Sequence, residues 1–270
     1  PESIADALAA ITDADDGQFM AGGQTMIPVL KQRLAMPSDV VELAKIDDLR
    51  GITVDGGWVT IGAMTPHAVV HNSMDVAGAI PALADLAGMI GDPHVRNRGT
   101  IGGSVANNDP AADYPAAVVG LGATVVTDRR EISGDDFFVG LFETALAEGE
   151  LITAVRFPVP DKAAYMKFPN PASRYAIVGV FVSQSEGEVR VAVTGAGPCV
   201  FRAEKMETAL AADFSADAVG DIPVLSDDFN NDSTVDYLEP AKFIETSDAV
   251  NEIPAEIRAV LSLTPITLSE

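Results

Sequence analysis

The chain has 270 residues, 47% hydrophobic and 21% charged, which suits one or two compact domains and not a disordered chain. Forty acidic residues against 17 basic ones give a formal net charge of −23, which argues against nucleic-acid binding because that needs a basic footprint. A single cysteine, Cys199, excludes an internal disulfide framework and a cysteine-ligated iron–sulfur cluster, and no apolar run reaches the roughly 20 residues that span a bilayer.

The first stretch, PESIADALAA, has no basic or apolar leader region and does not read as a signal peptide. Its spacing of Ile4, Ala7, Leu8 and Ile11 predicts a helix. Phe19–Ala21 reads as a strand, Gly22-Gly23 as a tight turn, and Thr25–Leu34 as a helix or helical turn interrupted early by Pro28. Such a strand–glycine–helix order can present N–H groups to an anion, although it is neither a dinucleotide fingerprint nor a P-loop. A short strand follows at Val40–Leu43, then a hairpin of Ile52–Val54 and Trp58–Gly62 around Asp55-Gly56-Gly57. Thr65 and Pro66 read as the cap and first position of a helix, and Pro81 opens another that runs to Ile90. His67 and His71, four apart, could share a helix face, but no third ligand lies nearby, so they read as surface or capping histidines. Residues 91–98 lead into a second diglycine.

That second diglycine lies within NRGTIGGSVANNDPAADYP, from Asn97 to Pro115, the stretch richest in chemistry. Glycines let a main chain approach a ligand closely, and successive N–H groups in such a turn can form a donor nest for anionic oxygens. Asp109 and Asp113 would repel phosphate but could accept hydrogen bonds from the hydroxyls of a sugar or ribityl chain. The same residues also read as a helix start near Ala111, with Asp109 as N-cap and Pro110 in first position. The two readings are compatible. Downstream, a small-residue helix at Tyr114–Leu121 precedes a strand at Ala123–Thr127, with Arg129–Ile132 as its polar return. Phe137, Phe138, Leu141 and Phe142 read as core packing, and Leu151–Phe157 as a strand closed by Pro158 and Pro160.

A composition shift near 158–164 divides the chain. Beyond it, Tyr165–Phe168 and Tyr175–Val182 read as strands, Ser185–Gly187 as a turn into Val189–Thr194, and Ala203–Ala211 as a helix. Residues 213–270 are acidic and less periodic, with helices expected near 240 and 255. Nothing in the chain arranges a Ser-His-Asp order, a Cys-His pair or a carboxylate pair. Two diglycine loops that could grip both ends of a diphosphate, with no bond-making residues, point to a cofactor that carries the chemistry.

The segments AGGQTMIP (21–28), IGDPHVRNRGTIGGSVANNDPAADYPA (90–116) and KFPNPASRYAIVGVFV (167–182) resemble the FAD-binding medium subunit of molybdenum hydroxylases, of the carbon monoxide dehydrogenase type above all. The likeness runs from residue 1 to about 230; the acidic tail, 233–270, lacks the family's basic helix. The resemblance implies an α+β fold: a two-lobed, vanillyl-alcohol-oxidase-type FAD-binding domain at 1–163, with lobes 1–50 and 51–163, followed by a C-terminal α/β domain at 164–270.

By that resemblance, Ala21, Gly22, Gly23, Gln24, Thr25 and Met26 would wrap the diphosphate through backbone N–H groups. Thr100, Ile101, Gly102, Gly103 and Ser104 would form the second phosphate and ribose contact. Asp113 would meet the polyol or ribose, and Ile90, Gly91 and Ile152 would line the adenine or flavin pocket. Lys167 would reach the flavin or stand as a surface lysine, and Tyr175 would cover the isoalloxazine or serve as a core tyrosine. The cofactor implied is FAD; no metal ligand and no catalytic side chain is implied. The partners implied are a small subunit with two [2Fe–2S] clusters and a large molybdopterin subunit, assembled as a dimer of heterotrimers in the cytoplasm or at the inner face of the membrane. An FAD subunit of a xanthine or N-heterocycle dehydrogenase and a flavin-free scaffold are the alternatives.

Overall fold

A parallel strand pair opens the fold, and its crossover carries the first diglycine. The computed structural model describes residues 1–220 and 222. Helix α1 (Ile4–Asp13) is capped by Ser3, whose hydroxyl accepts from Asp6 N. Strand β1 (Gly17–Met20) runs through Gly22-Gly23 into the short helix α2 (Met26–Lys31), which Arg33 ends in the left-handed region (φ 56°). Strand β2 (Asp39–Glu42) then returns parallel to β1, Phe19 facing Val41. Ala7, Val41, Leu43, Ile46 and Leu49 close a small core here, joined by Met64 and Leu151 from further along the chain.

The hairpin β3 (Ile52–Asp55) and β4 (Trp58–Gly62) forms as its turn residues dictate, with Gly56 and Gly57 both at positive φ. Helices α3 (His67–Asn72), α4 (Met74–Ala79), α5 (Pro81–Met89), α6 (Pro93–Arg98), α7 (Ile101–Asn107) and α8 (Tyr114–Gly120) follow. The sheet is completed by β5 (Thr124–Thr127) and β6 (Glu131–Ser133), and, after the one-turn helix α9 (Gly134–Phe137) and the small ladder of β7 (Phe138–Gly140) and β8 (Glu143–Thr144), by β9 (Ile152–Pro158). Its order is β3-β4-β9-β5-β6, antiparallel throughout.

The last sheet, β10 (Lys162–Pro169), β11 (Ala176–Ser185), β12 (Glu188–Thr194) and β13 (Phe201–Arg202), is antiparallel in chain order, and helix α10 (Glu204–Ala212) packs on it. Strand alternation separates its two faces. Val180, Val191 and Val193 face α10 with Met206 and Leu210, while Tyr165, Phe181 and Ala192 join the larger core around Tyr114, Val118 and Phe157. The described chain is thus a mixed α+β fold: an N-terminal portion built on the parallel pair and the five-stranded sheet, and a C-terminal β-sheet whose described part is antiparallel.

Several local expectations shift. Residues 93–98 are a helix capped by Asp92, whose carboxylate accepts from Val95 N at 2.9 Å. The helix expected near Ala111 starts at Tyr114 instead, because Asp109 turns its carboxylate onto Ala111 N (2.9 Å) in a local turn. Thr65 does not cap α3: its hydroxyl exchanges bonds with the Gly51 backbone (3.1 and 3.2 Å) and Pro66 takes the cap position. Phe137 and Phe138 are core, whereas Leu141 and Phe142 are more than half exposed on the β7–β8 turn. The helices expected near 240 and 255 lie outside the described residues.

Candidate functional site

The two diglycine segments meet. A β-carbon on Gly22 would run into the Arg98 carbonyl oxygen, and one on Gly103 would lie 3.4 Å from Ala21 Cβ. These glycines therefore permit backbone-to-backbone contact across 80 residues of sequence. The meeting point forms one wall of a cavity of about 610 Å³, within the range of cofactor sites.

Their donors differ. Gly23 sits at φ 72°, open to glycine alone at little cost, and its carbonyl accepts from Ile27 N to start α2. Among the described residues no protein acceptor takes the N–H of Gly22, Gly23, Gln24 or Thr25. In the second segment the N–H groups are occupied: Ile101 N donates to Thr65 O (3.2 Å), Gly102 N to Ala63 O (2.9 Å) and Ser104 N to Thr100 O (3.0 Å). Gly103 N donates to the Thr100 hydroxyl at 3.2 Å. Gly102-Gly103 is therefore the first turn of α7, capped by Thr100, and not an open nest. Its contribution to the wall is smallness and the Thr100 and Ser104 hydroxyls. The open donor set is the Gly22–Thr25 loop.

Of the seventeen residues singled out from sequence, fifteen line this cavity: Ala21 to Met26, Ile90, Gly91, Thr100, Gly102, Gly103, Ser104, Asp113, Ile152 and Tyr175. Ile101 and Lys167 do not. Ile101 is fully buried in the core, on the inward side of α7. Lys167 stands behind the wall, its Nζ donating to Asp113 Oδ2 at 2.9 Å and to Met89 O at 3.1 Å. The surface alternative for Lys167 is wrong, since its side chain is 2% exposed. Tyr165, on the same face of β10 two residues earlier, donates to Asp113 Oδ1 at 2.5 Å. Burial pushes the Asp113 carboxyl up, against the ammonium and phenol that favour its ionised form. The tyrosine hydroxyl is itself raised far above its usual range by burial and by Asp113.

This network fixes the wall. Lys167 holds Met89 O, and Arg96 donates to Ile90 O (3.1 Å) and Gly91 O (2.9 Å), so two cations secure three successive carbonyls. Gly91 completes the bend at φ 51°. After β10, Asn170 ties a turn: its side chain accepts from Ala172 N and Ser173 N, and Arg174 N donates to its carbonyl. The turn presents Tyr175, 46% exposed rather than core, whose phenol is raised by burial and by the Asp109 and Asp113 carboxylates.

Sequence reasoning missed His67. It is 4% exposed and lines the cavity, not a surface or capping residue. Its partner in sequence, His71, bonds Ala84 O through Nδ1 at 2.9 Å. Among the described residues no group of three metal-ligating side chains forms.

Open N–H groups beside a glycine-shaped wall, with carboxylates further along, suit an extended dinucleotide: donors for a diphosphate, acceptors for its polyol. The residues present fit FAD. Residues 1–160 match the family model for the FAD-binding domain in molybdopterin dehydrogenase. The nicotine 6-hydroxylase medium subunit of Paenarthrobacter nicotinovorans is 38% identical over 206 residues, 73% of each chain. The carbon monoxide dehydrogenase medium chain of Afipia carboxidovorans is 39% identical over 205 residues, 72% of this chain and 71% of that one. In structure, the carbon monoxide dehydrogenase of Hydrogenophaga pseudoflava superposes with a TM-score of 0.74 at 34% identity, over 86% of this chain and 88% of that chain. The chain belongs to the FAD-binding medium subunits of the molybdenum hydroxylases, and is an oxidoreductase subunit. No helix among the described residues is long and apolar enough to cross a membrane.

Proposed function

We propose that this chain is the flavoprotein subunit of a carbon-monoxide-dehydrogenase-type molybdenum hydroxylase, relaying electrons from the [2Fe–2S] clusters of a small partner subunit to an external acceptor. A large molybdopterin subunit oxidises the substrate, and the whole is a dimer of heterotrimers in the cytoplasm. The observation that carries this reading is the open donor loop, Gly22 to Thr25, facing the glycine wall of the cavity. Bound FAD supplies the redox chemistry. The chain supplies the hold: Ala21 to Met26 at the diphosphate, Asp113 toward the polyol, Ile90, Gly91 and Ile152 along the rings, and Tyr175 over the open side. Lys167 acts from behind, by keeping Asp113 and Met89 in place. The domain division at 163/164, with lobes meeting at 50/51, belongs to the same reading.

An N-heterocycle dehydrogenase is the second reading, supported by the nicotine 6-hydroxylase subunit at 38% identity, between the 34% and 39% of two carbon monoxide dehydrogenase medium chains. Co-expression with the neighbouring subunits, followed by anaerobic titration with carbon monoxide or with an N-heterocycle while flavin absorbance is followed, separates the two. Bleaching by carbon monoxide supports the first and bleaching by the heterocycle alone supports the second. A purified complex that releases no FAD would leave the flavin-free scaffold.

A further inference from the structure

His67 opens helix α3 and lies against the second glycine segment. Its backbone N–H donates to Gly99 O at 3.0 Å, and the neighbouring Pro66 bridges to Thr100. A β-carbon on Gly99 would lie 2.6 Å from His67 Nε2. Gly99 has φ −63°, an ordinary value, so the absence of a side chain there serves space and not backbone conformation. The same short backbone, Arg98–Gly99, is what Gly22 packs upon. The imidazole thus sits at the junction of the two glycine loops, on the cavity wall.

Among the described residues neither ring nitrogen has a hydrogen-bond partner. Nδ1 is sealed from solvent, and the ring lines the cavity with Nε2 on the side that meets Gly99. Burial, with the Arg96 charge behind it, depresses the imidazolium to about 4, so the ring is neutral near pH 7 and carries one N–H. Sealing that N–H at Nδ1 would orphan a buried donor, which is rarer than an unused lone pair. The proton therefore belongs on Nε2, the nitrogen beside Gly99.

We propose that His67 is a ligand of the bound dinucleotide, its Nε2–H donating to an oxygen of the diphosphate where the two glycine loops meet. This rests on the flavin reading above and adds to it a side-chain donor beside the backbone N–H groups of Gly22 to Thr25. It accounts for Gly99, for the missing partner of a buried polar ring, and for a neutral donor on a chain so acidic.

The test uses the assembled complex after removal of flavin, with FAD, ADP and riboflavin as probes. His67→Phe keeps a ring of similar size and removes the donor; His67→Gln keeps a neutral donor. A charge-assisted hydrogen bond lost at the diphosphate weakens FAD and ADP binding about tenfold or more. Riboflavin, which has no phosphate, is unaffected, and His67→Gln recovers part of the loss. Unchanged FAD and ADP affinities in His67→Phe would overturn the inference. So would an equal loss for all three probes together with a lower melting temperature of the flavin-free complex, since that marks a packing role. A wild-type complex that binds neither FAD nor ADP would overturn the flavin reading itself, a result distinct from an unaffected variant.

Discussion

Gly22 shows how much one hydrogen atom decides. Its α-carbon rests on the Arg98 carbonyl, so even a methyl group must displace backbone and separate the two loops. Gly22→Ala is expected to lower FAD occupancy of the purified complex at least tenfold while the far-ultraviolet dichroism is unchanged, as measured by flavin absorbance per chain. Full occupancy in that variant would show that the contact is not needed for binding. Lys167 makes a different kind of demand. Its ammonium is the countercharge of a carboxylate 4% exposed, and removing it strands that charge. Lys167→Met should cost about 3–5 kcal/mol in denaturant unfolding, with Lys167→Met/Asp113→Asn recovering a good part because the uncompensated charge is gone. Equal instability of the single and double variants would mean that lost packing, and not charge, sets the cost.

At the scale of elements, the β5–β6 turn is joined to the segment that leads into β9 by one carboxylate. Glu150 accepts from Arg130 Nε (2.9 Å), Thr127 Oγ1 (2.8 Å) and Ala147 N (2.8 Å). The hydrogen bond from Arg130 is the first cause that depresses its carboxyl to about 2, against burial, which raises it. A folded value below the unfolded one stabilises the native state above the unfolded pKa, near 4.5, and that stabilisation is lost as pH falls toward 2. Glu150→Gln should therefore melt below wild type at neutral pH, with the gap narrowing as pH drops through that window. A gap independent of pH would show that charge has no part in it. The element scale is also where the sequence was most legible. The Asp55-Gly56-Gly57 hairpin and the helix opened by Pro81 follow from glycine and proline geometry, and the Ser185–Gly187 turn stands where the sequence predicts it, with Glu186 joining Gly187 at positive φ. Asp109 misled because a side chain that can cap a helix can equally close a turn onto the residue two along.

The whole molecule carries 40 acidic against 17 basic residues, a formal net charge of −23. Self-repulsion of this size opposes compactness and is screened over about 10 Å at ordinary ionic strength. Raising salt from a few millimolar to about 1 M should raise the melting temperature, opposite to a fold held by surface pairs. A lower melting temperature in high salt would show that those pairs outweigh the repulsion. The larger core extends into the last sheet: Tyr165 and Phe181 pack with residues around Tyr114, so the buried Asp113–Lys167 pair joins that sheet to the chain before it.

What the sequence by itself determined was local chemistry: two glycine loops able to approach a ligand, acids placed for hydroxyls, and a segment pattern that resembles one family. Those properties reside in single residues and short spacings. What only the tertiary structure decided was which groups remain unused. Gly102 N is occupied by Ala63, Lys167 by Asp113 and Met89, and the His67 ring is buried against Gly99 with no hydrogen-bond partner among the described residues, each through residues distant in the chain. A hydrogen bond has two ends, and a sequence displays them without saying which have been joined. The binding site consists of those left open after the fold has satisfied the rest.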